Sequence, residues 1–453
     1  MMRSASGTDS SGSLPHESTS PSTAIDSPAI SLKEPGSLVR ISKAHPLATG
    51  PILPAHPASS AAAFIHQIGV VTHLSYTDTP YYTDFPQILS ALQTLGVHHI
   101  RDGYYPWPAS SPIVQAHQQL AAAGITTDYV VPYNVTTTPA AIEQFANEVG
   151  DMESLEAPNE CDTSGGCGTS WMANLVAFLP AVNAAAKQLN VPMVGPSFAL
   201  QDSYLTAGNL SAEMTVNNLH TYFGGRHPGI AGWGGLDLQG NSYGSFSYWL
   251  DMATADGPGL GTEITETGYM AYPTTSTPYT LPESVEASYI PRTLLLSFKK
   301  GFKETFLYEL LDEPSSPGYG LLRSDLSPKP AYTAVRNLIA TLSDNGSSFT
   351  PGSLPYTISG GDSNLNQLLF EKSDGSFWLA LWLEESSWDP ANCAPIAVTP
   401  ENIGIELTGA YHTTNDYQFD SNGNVARFNQ PMNAGWASLT VTNQISIVEI
   451  HHN

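Results

Sequence analysis

The sequence predicts an α/β chain: a (β/α)8 TIM barrel with an appended all-β sandwich domain. Three observations carry this. From about residue 66, strand-like and helix-like segments alternate, with eight strands in all. Past about residue 345, helical periodicity stops and short apolar runs are separated by turn residues. Ahead of both, residues 1–60 are rich in Ser, Pro, Thr and Ala and read as a disordered leader. The expected boundaries are a leader over 1–60, a barrel over 61–345 and a sandwich over 346–453.

The first strand is expected over 68–72, an apolar β-branched run. A helix over 84–94 follows, with Pro86 in its first turn, Ile88, Leu89, Leu92 and Leu95 on one face, and Gly96 as its stop. Strand two is expected over 97–101 and its helix over 112–123. Strand three covers 127–132, with a helix over 139–149. Strand four covers 152–160, and the helix over 171–189 holds Pro180, a site for a kink. Strands five and six are read over 192–196 and 215–222 with no helix between them, and a helix over 243–252 comes next. Strand seven covers 261–266, followed by a helix over 283–300 containing Pro291. Strand eight covers 304–311, and the helix over 331–342 closes the barrel. A doubly wound open sheet is the rival, but no Gly-rich phosphate loop follows the first strand. In the tail, 367–372 and 376–384 flank the turn Ser373-Asp374-Gly375. Further strands are expected over 403–407, 416–419, 437–441 and 446–451, with the sandwich packed on the barrel and a strand from the N-terminal segment joining it.

Composition excludes some functions. Lys and Arg total 16 against 41 Asp and Glu, a net charge of −25. Such a chain repels nucleic acid and anionic membranes and suits a neutral substrate. No stretch approaches a membrane span. Cys161 and Cys167 close a Gly-rich segment, as a disulfide or as two free thiols; Cys393 is left over. No Cys/His cluster has ligand spacing, so neither a metal nor another cofactor is expected. The leader has no apolar h-region. An extracellular or periplasmic location is the reading, cytoplasmic the alternative. Asn134, Asn209 and Asn345 open glycosylation sequons. Oligomeric state is not legible.

In a barrel, polar residues where strands run out build the site. These are His73 on strand one, Arg101 and Asp102 on two, Asn159 and Glu160 on four, His220 and Tyr222 on six, Glu266 on seven, and Tyr308 and Glu309 on eight. Glu160 and Glu266 each stand at the tip of a strand, while Glu153, Glu156 and Glu263 lie deeper. Alternation puts Glu263 and Glu266 on opposite faces. Two carboxylates so presented suit glycosidic cleavage by acid and nucleophile, provided their environments set their pKa values apart. Arg101, His220 and Tyr222 are placed to keep one of them ionised. Trp107, Tyr104, Tyr105, Tyr269 and Tyr272 are candidate platforms for sugar rings.

Residues 66–343 resemble clan A of the glycoside hydrolases, whose members are retaining (β/α)8 enzymes. The resemblance rests on Asn159-Glu160, Thr265-Glu266-Thr267-Gly268, Arg101, His220 with Tyr222, and the segment from Gly320 to Tyr332. It implies that Glu160 is the acid/base, that Glu266 is the nucleophile, and that Asn159 contacts the sugar 2-hydroxyl. Cys161 stands where the clan usually has Pro, and its strand-eight aromatic could be Phe306 or Tyr308. With the appended sandwich, family 39 is nearest. The implied activity is double-displacement hydrolysis of β-linked or α-L-arabinofuranosyl oligo- or polysaccharides. A catalytically inactive carbohydrate-binding barrel is the alternative. A metal-dependent barrel hydrolase would need His-x-His on strand one, where only His73 stands.

Overall fold

A computed structural model describes residues 53–135, 137–163 and 165–453. The expected leader falls outside these residues up to position 52. Its last residues are structured: Ala55–Pro57 and Ser59–Ser60 are strands.

Eight parallel strands close the barrel: Ile68–Val71, His99–Gly103, Thr126–Val130, Met152–Glu156, Met193–Val194, Val216–Thr221, Gly261–Thr267 and Thr305–Leu307. The first strand is buried throughout, as its unbroken apolar run requires. Helices cover the outside with their apolar stripes inward. Phe85–Leu95 buries Phe85, Ile88, Leu92 and Leu95, and Gly96 ends it in the left-handed conformation. Ser111 and Thr138 cap the next two helices, each just ahead of a proline. Trp171–Leu189 and Glu283–Lys300 run through Pro180 and Pro291.

Four expectations are corrected. Strand four ends at Glu156, so Asn159 and Glu160 lie in the following turn. Strand eight ends at Leu307, which puts Tyr308 and Glu309 in the loop beyond it. Strand five is only Met193–Val194. A helix, Gln201–Ala207, stands between strands five and six. It is 7 residues long and buries only Ser203, Tyr204 and Ala207, with Leu205 exposed, too short a pattern to read as an apolar stripe.

The C-terminal region is a β-sandwich. One sheet orders Ala55–Pro57, Ser353–Ser359, Glu401–Leu407 and Trp436–Val441. The other orders Ser59–Ser60, Leu365–Glu371, Phe377–Leu383, Ser446–His452, Tyr411–Phe419 and Val425–Asn429. Each short N-terminal strand therefore joins one sheet. Phe377–Leu383 is buried on both faces: Leu379, Leu381 and Leu383 fill the sandwich, while Trp378, Ala380 and Trp382 pack into the core that includes the barrel. Arg292, on a barrel helix and fully buried, donates to Glu384 at the end of that strand.

Candidate active site

The second barrel strand delivers Arg101 to the centre of the site. Its Nε and Nη2 donate to both oxygens of Glu156, at 2.6 and 2.8 Å. Nη1 donates to Glu266 at 2.7 Å, and Nη2 also to Asn159 Oδ1 at 2.7 Å. The two-pronged contact fixes the guanidinium plane. Burial works against the Arg101 cation, but the charges of Glu156 and Glu266 outweigh it and hold its pKa above the ordinary arginine value. Glu156 is fully buried and accepts a third bond, from Asn218 Nδ2 at 2.9 Å. Asn218 is held in turn by Thr265 Oγ1 at 2.6 Å.

Glu266 is aimed by an irregularity. Strands six and seven pair Leu219 with Ile264 and then His220 with Glu266, so Thr265 is an extra residue. A bulge re-aims the side chains that follow it. Alternation therefore does not run unbroken from Glu263 to Glu266. Glu266 lines the cavity; Glu263 is buried away from it, and burial pushes its carboxyl up to about 8. Gly268 has a steric reason: a Cβ there would meet the Tyr308 carbonyl oxygen at 2.2 Å. The loops after strands seven and eight touch at that point.

Glu266 accepts from Tyr222 Oη at 2.7 Å, besides Arg101, and its carboxylate is 3.5 Å from His220 Nδ1. Burial alone would raise its pKa. The charges of His220 and Arg101 and the Tyr222 hydrogen bond overcome that and hold it below the usual carboxylate range.

Glu160 stands differently. Its φ of 39° is in the left-handed region, which costs a non-glycine residue about 1–3 kcal/mol. The surrounding turn fixes it: its N–H donates to Ser197 Oγ at 3.1 Å, and its carbonyl accepts from Thr163 N and Oγ1 at 3.0 and 2.8 Å. A disulfide joins Cys161 to Cys167, and Gly166 packs so closely that a Cβ would meet the Glu160 carbonyl oxygen at 2.4 Å. The Glu160 side chain is 32% exposed, and its Oε1 is 3.1 Å from His220 Nδ1. The His220 hydrogen bond is the largest influence on this carboxyl and holds it below its ordinary value, against desolvation. Carboxylate oxygens of Glu160 and Glu266 and a His220 nitrogen all lie within 4.8 Å of one another.

These groups open into a cavity of about 440 Å³ at the C-terminal ends of the strands. Arg101, Asn159, Glu160, Glu266, His73 and Tyr308 line it. His73 Nε2 is 3.3 Å from Glu309, and its ring stacks on Tyr76, with centroids 4.6 Å apart. Tyr308 is thus the aromatic on the cavity wall, while Phe306 is fully buried.

Not every predicted residue arrives there. Trp107 is half-buried beside Tyr105, and of the two only Tyr105 lines the cavity. Tyr104 and Tyr269 are core residues, packed on Phe145 and on Phe223 and Tyr289, so neither is a sugar platform. Tyr272 is held by its hydroxyl on the Pro317 carbonyl, off the cavity. Sequence reasoning passed over Glu156 and Asn218. The sequence favours Glu160 over Glu156 on position alone, as the later of the two along the chain. Glu156 lies two strands from Arg101 and beyond Ser154, the residue level with Arg101, so no spacing in the sequence pairs the two.

No family model and no curated protein matches the sequence. Solved structures do. A family 39 glycoside hydrolase from Bacteroides cellulosilyticus is 17% identical, with TM-score 0.55, over 85% of this chain and 81% of its own. A family 51 α-L-arabinofuranosidase from Bifidobacterium longum is 12% identical, with TM-score 0.55, over 88% and 98%. A bifunctional glucanase-xylanase from a metagenome library is 12% identical, with TM-score 0.53, over 88% and 97%. The likeness is one of fold: a parallel barrel carrying a β-sandwich.

Proposed function

We propose that the chain is a retaining glycoside hydrolase of the clan A type, with Glu266 as nucleophile and Glu160 as acid/base. The observation that carries this is the approach of one oxygen from each carboxylate to within 4.8 Å at one cavity, with His220 Nδ1 at 3.1 Å from Glu160 and 3.5 Å from Glu266. Retaining enzymes hold theirs about 5–5.5 Å apart, whereas inverting enzymes leave about 6.5–9.5 Å for a water.

The environments divide the labour. Glu266 is ionised and oriented by Arg101 and Tyr222, ready to attack the anomeric carbon. As its bond to carbon forms, the glycosidic C–O bond breaks and Glu160 gives its proton to the leaving oxygen. Glu160 then takes a proton from water as that water attacks the anomeric carbon and frees Glu266. Glu160 must be protonated at the start, yet His220 holds its pKa low in the free protein. A sugar in the cavity covers its exposed side, and that desolvation raises its pKa toward the working range. Asn159 gives its carbonyl to Arg101, so its amide N–H groups face outward, available to a 2-hydroxyl.

The substrate class is a β-linked or α-L-arabinofuranosyl oligo- or polysaccharide. One solved relative is by name an α-L-arabinofuranosidase and another a glucanase-xylanase, which supports a reading within that range. The Cys161–Cys167 disulfide supports an oxidising location, extracellular or periplasmic.

The test is hydrolysis of a panel of aryl glycosides, with the first-formed anomer read by proton NMR. Turnover with retained configuration is expected. A first product of inverted configuration would overturn the mechanism, and saturable sugar binding without turnover would favour the inactive barrel.

A further inference from the structure

Beside the cavity, three side chains from distant parts of the chain converge, two buried carboxylates against a single histidine. His73 follows strand one; Glu309 and Glu313 lie in the loop after strand eight. One ligand atom from each falls within 4.8 Å of the other two. Glu309 is fully buried and Glu313 is 2% exposed. Each carboxylate has one oxygen held by a serine: Ser316 Oγ donates to Glu309 Oε1, and Ser315 Oγ to Glu313 Oε2. The other oxygens, Glu309 Oε2 and Glu313 Oε1, are buried without a hydrogen-bond partner among the described residues, as is His73 Nε2. His73 Nε2 and Glu309 Oε2 are 3.3 Å apart, in a geometry that makes no hydrogen bond.

Unpartnered buried polar atoms are rare and ask for an explanation. Neighbouring groups add negative charge without relieving it. Asp102 accepts from Thr72, Leu74 and Gly103, all uncharged donors. The cations of this loop are engaged elsewhere: Lys329 donates to Asp312 and Arg323 to Glu283. Ligands about 2.0–2.1 Å from a four-coordinate ion stand roughly 3.3 Å from each other. That is the spacing of His73 and Glu309.

We propose that His73, Glu309 and Glu313 form a divalent cation site on the wall of the cavity. The donor set, one imidazole nitrogen and two carboxylates, suits Zn2+ or Mn2+. Ca2+ prefers an all-oxygen shell of six to eight ligands. The ion ties the end of strand one to the loop after strand eight. It holds His73, and with it the stacked Tyr76, against the cavity. It is a positioning site, separate from the Glu160–Glu266 pair, and does not depend on the hydrolase reading.

The test uses the full chain, stripped with a chelator and titrated calorimetrically with ZnCl2 or MnCl2. Saturable binding of about one equivalent is expected, with a rise in Tm, and both should be lost in Glu313→Gln. A second readout serves if that variant fails to fold. In the wild type, the bound ion should protect His73 from diethyl pyrocarbonate, as read by peptide mass. No saturable binding of either ion would overturn the proposal. So would binding that persists in folded Glu313→Gln, or an ion that leaves His73 unprotected.

Discussion

At the scale of single residues, the site depends on how two similar carboxyls are made unlike. Tyr222 is one of three groups holding Glu266 ionised, so Tyr222→Phe should raise the Glu266 pKa and move the acid limb of kcat/KM to higher pH. Losing a hydrogen bond to a charged group costs about 1.5–3 kcal/mol, roughly a 10- to 100-fold fall in rate. An acid limb that stays in place would contradict this assignment. Glu156→Gln tests the buried partner. It leaves Arg101 with a weaker anchor, and kcat should fall on every substrate while the chain still folds, as judged by circular dichroism. Arg101, Asn159, Glu160 and Glu266 on the cavity wall were legible in the sequence because they are polar side chains where strands run out. Glu156 and Asn218 were not. Their function is to hold Arg101 and each other inside the barrel, and the sequence does not show which buried polar residues face one another.

At the scale of elements, two local devices aim the carboxylates. The Thr265 bulge is invisible to a period-two reading, because the alternation on either side of it looks regular. The Cys161–Cys167 loop is legible as a spacing, but its steric fit onto the Glu160 backbone is not. Replacing both cysteines with serine should cost roughly 2 kcal/mol of stability by the loop-entropy relation for so short a loop. Because the loop braces Glu160, the variant should lose more kcat on glycosides with poor leaving groups than on activated aryl glycosides. Equal losses on both would place the effect elsewhere. The helix Gln201–Ala207 escaped the sequence reading for want of an apolar stripe. Phe85–Leu95, which has one, falls within a residue of its expected place, whereas Phe246–Asp256 is displaced toward the C-terminus from the expected 243–252.

At the scale of the molecule, barrel and sandwich share buried charge. Glu384 accepts from Arg292, Trp382 Nε1 and Gly229 N, and His227 Nδ1 lies 2.8 Å away. Burial would raise this carboxyl, but Arg292 and His227 bring it down to about 2. Glu384→Gln leaves Arg292 buried without its counter-charge and should cost about 3–5 kcal/mol in denaturant unfolding. The stability from Glu384 is present above the ordinary carboxylate pKa and is lost as pH falls toward 2. Asp256, Glu263 and Glu286 behave oppositely, since burial lifts each to about 8. Between the ordinary carboxylate range and 8 the folded chain keeps protons that the unfolded chain has lost, so stability falls as pH rises. The net charge of −25 adds repulsion in the same direction. The urea midpoint should therefore be higher at pH 5 than at pH 8.5, and the reverse order would refute the assignment of these buried acids. The two-part architecture was legible from the change in periodicity. The contribution of Ala55–Pro57 and Ser59–Ser60 to the two sheets was expected only as a strand from the N-terminal segment, because short strands are specified by their partners. The central claim, that Glu266 attacks and Glu160 transfers the proton, is tested most directly with the two alanine variants on activated aryl glycosides, with and without azide. The account predicts no turnover by Glu266→Ala without azide, and with azide only a glycosyl azide of inverted configuration. It predicts residual turnover by Glu160→Ala that azide accelerates, yielding a glycosyl azide of retained configuration. Undiminished turnover by Glu266→Ala would contradict it.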